Sequence, residues 1–272
     1  MQRENVGGNL LRPLPAAFVP RIGFVQIEVT TVCNFSCFYC AGREMPQRHM
    51  HPALFDKILA SLPGARLTVS LQGEGEPTVH PYFWDMVEKV ARSGKRPYTI
   101  TNCSSIEIRR TARLFPQIGV SLDTLDGDEA DKIGRFGLSG VLGNLEQLVA
   151  AMGPRGIIIH SVDYGQPLEA LRNYVRSLGI DRHVVQPIQP KADYGKRYPE
   201  LADIGSEKYH FRCRYIFRPS MRYFDVNGRM MPCYSIKDAG AYVSIEHLRT
   251  QLDQQTIPDC CAGCREITVG NN

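Results

Sequence analysis

The chain has 272 residues, 43% hydrophobic and 22% charged, with 32 basic against 28 acidic side chains and a formal net charge of +4. These balances describe one large globular domain or one domain with a modest appendage, and they exclude intrinsic disorder and a small disulfide-stapled scaffold. The weak, dispersed charge makes no case for nucleic acid, since Arg109, Arg110 and Arg113 fall at helical spacing as a solvated face.

Residues 1–20 form an N-terminal extension. It is broken by Arg3, Glu4, Arg12, Pro13 and Pro15, so it does not read as a signal peptide. No apolar run approaches the roughly 20 residues of a membrane helix, and a cytoplasmic address is expected. From residue 21 to 190, short β-rich runs alternate with amphipathic stretches. Strands are predicted over 23–30, 66–71, 97–101, 118–122, 157–162 and 184–188, and helices over 52–62, 81–93, 105–114, 141–152 and 168–178. Pro52 stands near a helix start, and Gly64, Gly94 and Gly179 stand just past helix ends. Each strand but the last is followed by a helix, which predicts a parallel α/β sheet, because parallel neighbours need a long crossover.

The pattern changes over 191–272. Residues 191–211 are polar and tyrosine-rich and read as a connection. The runs 214–224 and 229–231 flank Asp225, Val226, Asn227 and Gly228, and Asn-Gly between such runs predicts a hairpin. Residues 244–252 read as one short helix. This tail holds five of the nine cysteines and looks too small for much of a core, a difficulty that a metal centre would remove. An odd cysteine count in a reducing compartment points to metal ligation or redox chemistry rather than disulfides.

Cys33, Cys37 and Cys40 stand as C-N-F-S-C-F-Y-C directly after the first predicted strand. Zinc would want a fourth ligand, which His49 or His51 could supply. A four-iron cluster held by three thiolates instead leaves one iron open to a non-protein ligand.

The spacing, with an aromatic residue just before the last cysteine, resembles the signature of the radical S-adenosylmethionine (SAM) superfamily. In that superfamily the open iron is chelated by SAM, and an electron from the cluster cleaves SAM to a 5′-deoxyadenosyl radical that takes a hydrogen atom from the substrate. The resemblance continues. Gly73, Glu74, Gly75, Glu76 and Pro77 resemble the superfamily's Gly-x-Gly-Glu-Pro segment, which holds the SAM amino group; glycines would permit close approach and Glu76 would accept from the ammonium. Thr101 and Asn102, then Ser121 and Asp123, match places where relatives contact the SAM ribose or carboxylate. All lie at strand ends, the edge of a parallel sheet where ligands bind. The implied fold is a partial (β/α)6 barrel over 21–190. Relatives usually carry glycine after Thr-Asn, where this chain has Cys103. That thiol is read either as simple packing or as a hydrogen donor facing the active site, which would suit an epimerase.

In the tail, Cys213, Gly228 and Cys233, then Cys260, Cys261 and Cys264, resemble the SPASM and Twitch extensions, in which a hairpin and a later Cys-x2-Cys hold auxiliary iron–sulfur clusters. Five cysteines suit the single-cluster Twitch form, with Cys213, Cys233, Cys261 and Cys264 as its ligands. Cys260 is left over on the argument that adjacent side chains point apart. Four-thiolate zinc is the rival for this site.

The resemblance thus implies two [4Fe-4S] clusters, SAM, and an external electron donor such as flavodoxin or ferredoxin. Relatives with one auxiliary cluster carry out two-electron oxidations, so dehydrogenation of a small polar substrate is the leading expectation. The 32 residues before Cys33 are too few for a leader-binding domain of the kind many peptide-modifying relatives carry. Modification of a ribosomally made peptide, by epimerisation through Cys103 or by cross-linking, is the alternative; a zinc-binding non-enzymatic module is a third reading. His160, Gln186, Tyr194, Tyr198 and Arg222 are candidate substrate contacts.

Overall fold

The computed structural model describes residues 23–40, 42, 45–64, 67–188, 209–217, 221–236, 240–262, 264 and 266–271. The expected extension over 1–20, Tyr194, Tyr198 and most of the connection lie outside them.

The first half alternates as expected: β1 (Phe24–Ile27), α1 (Pro52–Ser61), β2 (Thr68–Leu71), α2 (Phe83–Arg92), β3 (Arg96–Tyr98), β4 (Ile100–Thr101), α3 (Ile108–Leu114), β5 (Ile118–Ser121), α4 (Gly127–Lys132), α5 (Leu138–Met152), β6 (Ile157–Asp163), α6 (Glu169–Ser177) and β7 (His183–Pro187). β1 pairs with β2 and β2 with β3, then β4 with β5, β5 with β6 and β6 with β7, all parallel. The mixed α/β fold with a parallel sheet is therefore as expected. The third predicted strand is divided at Thr99, whose hydroxyl donates to Leu71 O at 2.8 Å.

Helix α2 shows why these segments fold as they do. Phe83, Met86, Val87 and Val90 recur at helical spacing and are all buried, with Asp85 in the first turn and Lys89 and Arg92 in the last, each matching the helix dipole. His51 caps α1 by accepting from Ala53 N, and Pro52 follows at the first helical position. Strand residues such as Val25, Ile27, Val69, Leu71, Ile118 and Val120 form one apolar core with Phe55, Leu145 and Leu148 of the helices.

Two elements depart from expectation. Helix α4 has little apolar periodicity, and only Ala130 in it is buried; its start is set by Asp126, whose carboxylate accepts from Glu129 N at 3.0 Å. Helix α5 begins at Leu138, three residues before the predicted start, because its first turn carries only half-buried Leu138 and the exposed Ser139 and Gly140 to mark it.

The tail contains β8 (Tyr209–Cys213), α7 (Arg214–Phe217), β9 (Met221–Phe224), β10 (Met230–Met231), α8 (Ile245–Asp253) and β11 (Ile267–Asn271). The run 214–224 is not one strand: its first part is helical, and Pro219 stands in the sequence between the two parts. β8 pairs antiparallel with β11, a ladder hidden in sequence by the wide separation of its strands. The hairpin is present, with β10 antiparallel to β9, Gly228 at φ +79° and Asp225 Oδ1 accepting from Asn227 N and Arg229 N at 3.0 and 2.8 Å. β9 also pairs parallel with β1, so the hairpin extends the main sheet. The tail has an apolar cluster of its own, built on Ile216, Tyr223, Met231, Ile236, Leu248 and Leu252 with Cys213, Cys233 and Cys260. This corrects the expectation that it could form little core. No helix among the described residues is long and apolar enough to cross a membrane.

Candidate active site

The carboxyl ends of the parallel strands open onto a cleft of about 300 Å³. Cys33, Cys37 and Cys40 line it from the loop after β1, Gln72 to Glu76 from the end of β2, Asn102 from β4, Ser121 and Asp123 from β5, His160 and Val162 from β6, and Gln186 from β7. Segments as far apart in the chain as Cys33 and Gln186 converge here because every parallel strand points the same way.

The cysteine loop is held from three sides. Ser36 N and Phe38 N donate to Gly134 O and Ile133 O at 2.9 and 3.2 Å, just beyond α4. Gly134 has φ +87°, and a Cβ there would stand 2.4 Å from Ser36 O, so only glycine allows this approach. Asn102 Nδ2 donates to Asn34 Oδ1 at 2.8 Å. Tyr39 donates its hydroxyl to Asp123 Oδ2, and Arg135 Nε reaches Tyr39 Oη at 2.9 Å and Asp123 Oδ2 at 2.7 Å. Burial pushes the Tyr39 hydroxyl and the Cys33 thiol above their ordinary pKa values. Cys40 Sγ lies 3.5 Å from Glu74 Oε2.

The Gly-rich segment lines the cleft, and its glycines also admit the chain's own atoms. A Cβ at Gly73 would stand 2.3 Å from Glu28 Cγ, and one at Gly75 would stand 2.5 Å from Val32 O. Both glycines therefore make room for the chain's own atoms. Glu76 is 3% exposed. Its Oε1 accepts from Thr101 Oγ1 at 2.6 Å and from Thr78 Oγ1 at 2.7 Å, while Oε2 accepts from Asn102 N at 2.7 Å. Glu76 thus ties the end of β2 to the end of β4, and burial raises its pKa against these hydrogen bonds. Thr101 supports Glu76 without lining the cleft.

Cys103 is not at the site. Its side chain is 0% exposed within the apolar core and absent from the cleft wall, and burial pushes its thiol up to about 12. Of the two readings of this thiol, its burial agrees with simple packing rather than with a hydrogen donor facing the cleft. His49 Nδ1 bonds Thr30 Oγ1 at 2.9 Å and His51 caps α1, so both histidines have structural partners. His160 and Gln186 do face the cleft. Arg222 lies on β9 opposite Val25 and does not line it. Sequence reasoning missed Gln72 and Arg135: Gln72 stands one residue before the motif, and Arg135 follows the missed helix α4.

In the tail, Cys213 ends β8, Cys233 follows β10, and Cys264 N donates to Cys261 O at 3.0 Å in the turn of the Cys-x2-Cys pair. Burial pushes the Cys233 thiol up to about 12, with Cys264 and Cys213 adding to the shift. Cys261 is raised first by its hydrogen bond with Cys260, then by burial, with Cys233 and Cys264 adding. Cys213, Cys233 and Cys260 belong to one apolar cluster, with Cys261 packed against it. Cys260 Sγ lies 3.9 Å from Cys261 Sγ, so the two adjacent side chains do not point apart. Among the described residues no three His, Cys, Asp or Glu side chains converge on a single metal-ion position.

Gln72 Oε1 is buried at the cleft without a hydrogen-bond partner. Such an acceptor is satisfied by a bound ligand carrying N–H or O–H donors, and the three soft thiolate donors that line the same cleft suit an iron–sulfur cluster. The cleft thus fits a cluster with a polar ligand.

Residues 27–178 match the family model of the Radical SAM superfamily. A GTP 3′,8-cyclase of Marinobacter nauticus is 33% identical over 153 residues, covering 52% of this chain and 45% of that protein. The chain spans about half the length of the curated relatives it matches. Among solved structures, BtrN in complex with AdoMet and 2-DOIA aligns with a TM-score of 0.52 at 16% identity, covering 86% of this chain and 87% of that one. Streptococcus suis SuiB bound to the precursor peptide SuiA gives 0.62 at 18% identity, covering 82% and 62%. At these identities the structures share the fold.

Proposed function

The chain belongs to the radical SAM superfamily, and from that premise we propose that it is a dehydrogenase that oxidises a small polar substrate by two electrons, with an auxiliary [4Fe-4S] cluster as electron acceptor. Membership implies a [4Fe-4S] cluster and SAM, and it removes the reading of a non-enzymatic zinc module. We assign Cys33, Cys37 and Cys40 to the first cluster and Cys213, Cys233, Cys261 and Cys264 to the second. When bound, the first cluster supplies the electron that cleaves SAM, and the second takes the electron left after hydrogen abstraction and proton loss.

The chain's own residues bind, orient and exclude water. Gln72, Asn102 and Ser121 offer polar groups to SAM, and Glu76 Oε2, which accepts from Asn102 N, keeps an acceptor direction for its ammonium. Asp123, committed to Tyr39, Arg135 and Val162 N, shapes the wall. His160 and Gln186 face the substrate end. An external flavodoxin or ferredoxin would deliver the electron.

The observation that carries the oxidative reading is the gathering of the tail cysteines around one apolar cluster whose hairpin docks on β1, the strand that leads into Cys33. Cys103 packs in the apolar core, which favours oxidation over an epimerisation that uses this thiol as hydrogen donor.

Anaerobically reconstituted protein is expected to bind about eight irons, and Cys213→Ala about four. Turnover in deuterated water should give a product two hydrogens lighter than its substrate. A second-site variant with full iron, or a product one mass unit heavier than its substrate through one carbon-bound solvent deuterium, overturns the reading.

A further inference from the structure

Glu28 is a buried carboxylate, 1% exposed, directly after β1. Its Oε1 accepts from Glu74 N at 2.9 Å, and its Oε2 accepts from Val226 N at 3.4 Å. Tyr223, itself 2% exposed, donates its hydroxyl to the same carboxylate, and Glu28 N donates to Phe224 O at 2.8 Å. One side of the residue thus holds the cleft segment, and the other holds the hairpin of β9 and β10. The missing Cβ at Gly73 is the condition for this contact, since a Cβ there would stand 2.5 Å from Glu28 Oε1.

A buried carboxylate stays charged only when donors surround it. Glu28 draws its donors from two segments that are 149 residues apart at their nearer named ends, Glu74 and Tyr223. Neither segment alone completes the set. Losing the hairpin donors would strand the charge, and losing the charge would release the peptide between Gly73 and Glu74 into the cleft.

We propose that Glu28 is a positioning residue that fixes the Gly73 and Glu74 backbone against the C-terminal hairpin, so that SAM affinity depends on the docked tail. The proposal rests on the reading that the cleft holds SAM; one arm of its test does not.

In the reconstituted full-length protein, Glu28→Gln turns one acceptor into a donor facing an N–H, and SAM should bind about tenfold more weakly. Tyr223→Phe, at a residue that does not line the cleft, should weaken SAM about threefold. The double variant should bind like Glu28→Gln alone, because the tyrosine acts through the glutamate. A Glu28→Gln protein with full iron and parental SAM affinity, or strictly additive effects in the double variant, overturns the proposal. Should Glu28→Gln fail to fold, Tyr223→Phe carries the test through amide exchange without SAM. Faster exchange at Glu74 N supports the tie, and unchanged exchange refutes it, whichever ligand the cleft holds.

Discussion

Arg135 Nε stands 2.7 Å from Asp123 Oδ2, with the arginine side chain 14% exposed and the aspartate 1%. The guanidinium also donates to Tyr39 Oη at 2.9 Å and to Ser121 O at 3.0 Å. One ion pair therefore braces the cysteine loop, the end of β5 and the chain beyond α4. Removing one partner leaves the other charge buried, so Asp123→Asn and Arg135→Met should each destabilise the protein by about 3–5 kcal/mol. Arg135→Lys keeps the charge but lacks the planar fork, and should still lose about 1 kcal/mol or more. Urea unfolding of the iron-loaded proteins measures this; losses under 1 kcal/mol for Asp123→Asn would contradict it.

Burial, then Arg182 and His183, lower the pKa of His160 from the ordinary 6.5 to about 4. Between those values the unfolded chain takes up a proton that the folded chain refuses. The contribution of His160 to stability is therefore complete above pH 6.5 and falls as pH drops towards 4, by about 3 kcal/mol at most. His160→Gln should flatten the stability profile across this window while leaving it unchanged above pH 7. An equally steep profile in the variant would show that other groups govern it.

Cys103 adopts φ +64°, a left-handed conformation that strains a side chain, and it is fully buried. Asn144 Nδ2 secures its carbonyl at 2.8 Å. Cys103→Ala keeps the strain and empties the sulfur's space, costing about 1 kcal/mol. Cys103→Gly relieves the strain while leaving the same gap, and should be nearer neutral. Both should keep full iron and produce 5′-deoxyadenosine at the parental rate. Loss of completed product with hydrogen abstraction intact would restore the epimerase reading.

Cys260 is 4% exposed inside the tail's apolar cluster, whereas Cys261 is only partly buried against it. Cys260→Ala should keep all the iron and lower the melting temperature by a few degrees through lost packing. Cys261→Ala should lose about four irons and loosen the tail. Reversed iron contents would exchange the two assignments.

Much of the parallel sheet could be read from the chain because its information is local: alternating apolar runs, Pro52 at a helix start, and glycines past helix ends. The motif at Cys33, Cys37 and Cys40 and the segment at Gly73 to Glu76 were equally legible, since spacing along one strand end carries them. Helix α4 was missed because it buries a single alanine, and with it went Arg135. The ladder of β8 with β11 was missed because no local pattern records a partner more than 50 residues away.

By itself the sequence determined most of the strand and helix order between residues 23 and 188, apart from α4 and the division of the third strand, together with the hairpin at Asn227 and Gly228 and which strand ends carry cysteines and carboxylates. Tertiary structure alone decided what those side chains do. It sent Cys103 into the core, used the space at Gly73 for Glu28, occupied Glu76 with Thr101 and Asn102, and laid β9 along β1. The physical reason is that a buried polar group must find its partners in three dimensions, and parallel crossovers bring those partners together from distant parts of the chain.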